Sequence, residues 1–276
     1  MHRSRNGVCN TPAPKFVCRH LFAMKLTFMD VRVRKALLRA LSSLCVGMFI
    51  LSAGLCVFAQ KTVTKRFPVK ANSRLEVINV AGTVTVEGWN RDEVKMVAEM
   101  EAPYANLAPQ QNGDTLSINV KNQSRSDTGS INFKIWTPNN STVDIETGQG
   151  NISIKDINGA MVRAHVWLSG DIELLNLSMQ SVMASNTTGD IVFDGILGWG
   201  GKYEFKSTQG NINIRLPGDS AFTLNATSPG RSINLGAFGG NVNQTDPRKV
   251  YGQIGNGDKT YLTVSNQKGR IAFIKR

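Results

Sequence analysis
Two acidic side chains are the first candidates for chemistry. Asp171 and Asp190 each follow a glycine and precede an isoleucine, and Asn151 and Asn211 hold the same place one interval to either side. If a repeated strand stacks these intervals, the two carboxylates stand about 4.8 Å apart. At that spacing one carboxylate raises the pKa of the other, or the pair holds a cation, so Asp171 and Asp190 are the weak metal candidates of this chain. A local role competes and is preferred: an Asn or Asp after a corner glycine caps the turn through its own side chain. The segment Gly255-Asn-Gly-Asp258 reads as a lone turn by the same logic.

Other chemistry finds little material. His165 is the only histidine after residue 20, and all four cysteines (Cys9, Cys18, Cys45, Cys56) lie in the first 60 residues. A catalytic triad, a thiol nucleophile and a thiolate or histidine metal site are therefore not expected in the remainder. No catalytic residue and no cofactor is assigned. Four tryptophans remain. Trp89, Trp136, Trp167 and Trp199 would stack on sugar rings if exposed, Trp167 and Trp199 being the candidate ligand-face aromatics, but cap and edge packing is the preferred reading of all four.

The elements that would position these residues repeat. One phrase (glycine, polar, apolar, any, apolar) recurs as Gly129-Ser-Ile-Asn-Phe, Gly150-Asn-Ile-Ser-Ile, Gly170-Asp-Ile-Glu-Leu, Gly189-Asp-Ile-Val-Phe and Gly210-Asn-Ile-Asn-Ile. Gly230-Arg-Ser-Ile-Asn-Leu carries one inserted residue, and Gly269-Arg-Ile-Ala-Phe closes the chain. The first six glycines are spaced 21, 20, 19, 21 and 20 residues apart, the last 39 further on. Such a period marks a solenoid. Apolar alternation is the period of a half-buried strand. It sends Ile152/Ile154, Ile172/Leu174, Ile191/Phe193, Ile212/Ile214 and Ile233/Leu235 inward. A second inward pair precedes each glycine (Val143/Ile145, Val162/Ala164, Val182/Ala184, Tyr203/Phe205, Phe222/Leu224), and a third residue follows it (Ile157, Leu177, Ile196, Leu216). The expected fold is all-β: a right-handed, single-stranded β-helix or β-solenoid with rungs of about 20 residues, three short strands to a turn, and glycine at the corners. The rival is a β-sandwich, which also uses short alternating strands. Residues 60–128 alternate less regularly, as at Leu75-Glu-Val-Ile-Asn-Val and Leu116-Ser-Ile-Asn-Val. They are read as cap rungs continuous in one domain with the regular rungs of 129–276.

A leader followed by Leu75-Glu-Val-Ile-Asn-Val-Ala-Gly-Thr-Val-Thr-Val-Glu-Gly-Trp-Asn and the serial Gly-Asn/Asp-Ile-x-Ile rungs resembles the bacterial putative-adhesin family, a domain of unknown function. The likeness covers nearly all of residues 67–276. It implies an extracytoplasmic β-solenoid and carries over no catalytic residues.

The leader, residues 1–59, places Arg32, Arg34, Lys35 and Arg39 before an apolar run from Leu41 to Phe58. Val57-Phe58-Ala59 suits a signal peptidase, so cleavage is expected before Gln60 and the location is extracytoplasmic (periplasm, outer surface or secreted). An uncleaved membrane anchor is the alternative, and would be the chain's only membrane contact. Leu55 weakens a lipobox reading at Cys56, and Met24 or Met29 are alternative starts. The net charge of +12 belongs largely to the leader: its nine basic residues face only Asp30, leaving 23 basic and 19 acidic side chains beyond residue 60. Nothing there suggests nucleic-acid binding. The expected function is a non-enzymatic, adhesin-like binding or scaffold module of the cell envelope, with a protein or glycan partner. The alternatives are a glycan-active enzyme of the β-helix type and a structural element that stacks end to end.

Overall fold
The computed structural model describes residues 60–120, 129–231, 233–242, 246–256 and 259–276. The leader with its cleavage and lipobox motifs, and the Gly257-Asp258 end of the lone turn, lie outside the described residues. The described residues fall in the compact unit Phe58–Arg276.

The protein is all-β. Its strands are β1 (Lys61–Pro68), β2 (Arg74–Ala81), β3 (Val84–Trp89), β4 (Glu93–Met100), β5 (Gln110–Asn112), β6 (Thr115–Asn119), β7 (Ile131–Pro138), β8 (Thr142–Gln149) and β9 (Ile152–Lys155). They continue as β10 (Met161–Ser169), β11 (Ile172–Thr188), β12 (Ile191–Gln209), β13 (Ile212–Leu216), β14 (Phe222–Thr227), β15 (Ile233–Asn234), β16 (Lys249–Ile254), β17 (Tyr261–Asn266) and β18 (Ile271–Lys275). All belong to one sheet that wraps a single apolar core. Along most of the core strands buried and solvent-facing residues alternate, because successive side chains leave a strand on opposite faces. This is why the Ile-x-Ile phrases bury Ile152, Ile172, Ile191 and Ile212 completely.

Two columns of buried side chains define two walls. In one, Leu116, Leu75, Val143, Val162, Val182, Tyr203, Leu262 and Leu224 are successive partners. In the other, the order is Phe133, Val84, Ile152, Ile172, Ile191, Ile212, Ile271 and Ile233. Every one of these pairings is parallel. Between the walls, Leu177–Met179 pairs with Gly195–Leu197 as a short third segment, so the turn has two full sides and one short one rather than three alike.

The spatial order departs from the chain order at both ends. β2 and β3 sit between the β6–β7 segment and the β8–β9 segment, and β17 and β18 sit between the β12–β13 segment and the β14–β15 segment. Sequence order had put the Gly230 phrase next to the Gly210 phrase, with the Gly269 phrase beyond it. The C-terminal strand instead slots between those two, because a parallel strand pairs with any edge that matches its register. Antiparallel strands close the ends: β5 on β6, β16 on β14, and β1 and β7 on either side of β4.

The third inward residue holds at Ile157, Leu177 and Leu216 and fails at Ile196, which is 51% exposed. Asn176 is an extra residue with φ of 52°, which shifts the register so that Leu177 faces Gly195 and Ile196 faces Ser178. Ile196 is thereby turned outward, and a Cβ on Gly195 would lie 2.8 Å from the Phe193 ring, so that ring takes the inward room there.

The corners need glycine for two reasons at once. Gly170 and Gly189 have φ of 155° and 130°, and a Cβ on Gly189 would land on the carbonyl oxygen of Gly170 directly beneath it. No side chain relieves both constraints.

Candidate functional site
At these corners the Asp/Asn residues form a ladder. The Asp171 N–H donates to Asn151 Oδ1 at 2.9 Å, the Asp190 N–H to Asp171 Oδ1 at 2.8 Å, and the Asn211 N–H to Asp190 Oδ1 at 2.7 Å. The Arg270 N–H donates to Asn211 Oδ1 at 3.2 Å, so the ladder passes directly to the inserted C-terminal strand. Asp171 and Asp190 are thus brought onto adjacent segments as their spacing implied. Each carboxylate accepts a backbone N–H from the next segment, which is turn capping carried across strands instead of within one turn. Among the described residues no group of three or more His, Cys, Asp or Glu is placed to hold a metal.

A second polar column escaped the sequence reading. Asn79, Thr147, Asn186, Ser207 and Asn266 point inward and are buried, just before the corners. Asn186 Nδ2 donates to the carbonyl of Gly189 at 2.8 Å, and Asn266 Nδ2 to that of Gly210 at 2.7 Å. The signal was present, an asparagine three residues ahead of Gly82, Gly189 and Gly269, but in this Asn/Ser/Thr-rich chain it does not stand out.

The two candidate ligand aromatics both face outward. Trp167 is 54% exposed at the end of β10, its ring 4.2 Å from that of His165. His165 Nδ1 lies 2.6 Å from Ser185 Oγ on the next segment. Burial lowers the His165 pKa below its ordinary 6.5, with Arg163 adding to the effect and Glu146 opposing it. Beside it, Arg163 bridges Asp144 at 2.8 Å and Glu146 at 2.7 Å, and the hydrogen bond to Asp144 raises its pKa.

Trp199 is 76% exposed and stands on an excursion of β12 flanked by Gly198, Gly200 and Gly201. That excursion is held from two sides. The Gly198 N–H donates to the hydroxyl of Tyr203 at 2.6 Å, and that hydroxyl donates in turn to the Met179 carbonyl. Thr260 Oγ1 accepts from the Gly200 N–H at 3.2 Å and donates to the Gly198 carbonyl at 3.1 Å. Lys259 Nζ sits 4.8 Å from the centre of the Trp199 ring. The loop contact from Thr260, 60 residues on, arises only because β17 lies beside β12. Trp89 and Trp136, by contrast, are half-buried and stack on each other with 6.3 Å between ring centres, under Arg91, Lys95 and Lys134.

These features define an all-β domain of stacked parallel strands whose candidate site lies on its outer faces. The pattern of the Toastrack DUF4097 family matches residues 127–272, and the chain belongs to that family. No curated protein matches the chain. Among solved structures it is similar to a putative cell adhesion protein from Clostridium sporogenes, with 12% identity over 78% of this chain and 100% of that one and a TM-score of 0.47. It is also similar to a putative adhesin from Bacteroides fragilis (12% identity, 79% and 99% covered, TM-score 0.33). A putative lipid binding protein from Parabacteroides distasonis gives 11% identity, 78% and 95% covered, and a TM-score of 0.34. At these scores the likenesses carry no functional weight. Among the described residues no helix is long and apolar enough to cross a membrane.

Proposed function
We propose that this protein is a non-enzymatic, adhesin-like binding module of the bacterial cell envelope. On this reading, residues 60–276 form one right-handed solenoid of rungs near 20 residues, exported after cleavage before Gln60. The observation that carries the proposal is Trp199: a large apolar ring left in solvent on a loop pinned by the Tyr203 and Thr260 hydroxyls. A ring held rigid while exposed loses little freedom when a partner covers it, which is what a binding anchor requires. Trp167 supplies a second such ring. The stacked Asp171 and Asp190 carboxylates serve the corners on this view, and turnover is not expected of them.

The test is retention of the purified protein on immobilised envelope glycans and proteins, with product release monitored in parallel. Retention that falls about tenfold or more in Trp199→Ala, with unchanged melting, is the expected result, that being the loss at an anchor residue. Product release from any glycan that vanishes in the Asp171→Asn/Asp190→Asn double variant would overturn the proposal.

A further inference from the structure
The inserted C-terminal strand creates a second feature. Where the Gly269 corner settles between the Gly210 and Gly230 corners, an open cleft of about 550 Å³ forms, lined by Gly210, Asn211, Asn213, Arg231, Lys268, Gly269 and Arg270. Its size is that of a small-molecule site. Its chemistry is one-sided: three cations and two amides, with no aliphatic or aromatic side chain. The cations come from two segments, Arg231 from one and Lys268 and Arg270 from the other, and the inserted strand sets the second against the Asn211 corner.

Elsewhere several basic side chains are paired with carboxylates, while others, such as Lys95 and Lys134 over the Trp136 ring, are not. Arg74 pairs with Glu76, Arg163 with Asp144 and Glu146, Lys155 with Glu87, Arg248 with Asp246 and Arg276 with Asp194. Arg231, Lys268 and Arg270 have no carboxylate partner among the described residues, and all three are exposed. The nearest acid of the ladder, Asp190, is engaged by the Asn211 N–H at 2.7 Å and faces the Asn211 amide at 3.3 Å. Three like charges converging on one cleft repel each other, and an anion between them removes that repulsion. The guanidinium fork of arginine suits a carboxylate or sulfate group, which accepts two parallel hydrogen bonds.

We infer that this cleft binds an acidic saccharide, its carboxylate or sulfate held by Arg231, Lys268 and Arg270 and its hydroxyls met by Asn213. A lipid chain or a nucleobase would find little apolar surface here, and a lone inorganic anion would leave the cleft mostly empty. The inference names a site separate from Trp199 and stands on its own residues.

Calorimetric titration of the exported protein tests it with four probes: tetragalacturonate, a heparin-derived tetrasaccharide, neutral maltotetraose and inorganic phosphate. Vesicles of phosphatidylglycerol are assayed by co-sedimentation. Binding of one or both acidic oligosaccharides is expected, weakening with added salt. Arg231→Gln and Arg270→Gln should each lower affinity about tenfold or more, the loss of one charge-assisted hydrogen bond. Lys65→Gln on β1, far along the sheet, should leave affinity and melting unchanged. Trp199→Ala should leave affinity within about twofold, which separates this site from the aromatic one. The inference is overturned if maltotetraose binds equally well, if phosphate binds as tightly as the oligosaccharides, or if only the vesicles bind. It fails equally if no probe binds, or if both arginine variants bind like the parent while melting normally.

Discussion

Ile271→Ala tests the strand order directly. Ile271 is the first residue of β18, five positions from the C-terminus, where a chain end ordinarily frays at little cost. In the structure it is fully buried and flanked by Ile212 on one side and Ile233 on the other. Truncation removes three carbons at about 0.8 kcal/mol each, or about 2.4 kcal/mol of transfer free energy. The flanking isoleucines belong to separately anchored strands and cannot close the gap, so a cavity term raises the cost to about 3–5 kcal/mol. Ile191→Ala, in the middle of the same column between Ile172 and Ile212, should cost the same. Urea denaturation followed by tryptophan fluorescence measures both, with an unchanged slope confirming that the comparison is of stability alone. In thermal melting the same loss corresponds to about 2–4 °C per kcal/mol for a chain of this size. If Ile271→Ala cost less than about 1 kcal/mol while Ile191→Ala cost its full amount, the C-terminal strand would be a peripheral rung and the interleaved order would be wrong.

The corner ladder and the histidine make two further predictions. Asp190→Asn keeps an acceptor for the Asn211 N–H and should leave stability nearly unchanged, whereas Asp190→Ala leaves that donor without its partner and should cost about 1 kcal/mol; equal melting of the two variants would refute the ladder. For His165 the folded pKa is lowered, so the neutral ring is favoured in the folded state. Its stabilising contribution is then fully present above the ordinary value of 6.5 and is lost as pH falls from there through the depressed folded value. His165→Gln should flatten the decline in stability between about pH 7 and pH 5, and an identical decline in the variant would show that His165 does not titrate with folding.

Local periodicity encodes the faces and the corners of this fold. Alternation decides which face of a strand each side chain takes, so the inward Ile and Val pairs were legible, and the recurring glycine marked corners that admit no Cβ. The placement of Asp171 beside Asp190 followed from the same interval. Tertiary structure decided which strand neighbours which. Parallel pairing needs only matched register and matched faces, and every Gly-x-Ile-x-Ile phrase meets both conditions equally. Nothing local could therefore say that Ile271 lies between Ile212 and Ile233, or that Arg270 lies against Asn211. The same holds at Ile196, where the single extra residue Asn176, one segment away in the stack, turned an apolar side chain outward. A residue's face is set by its own strand, but its register is set by its neighbour.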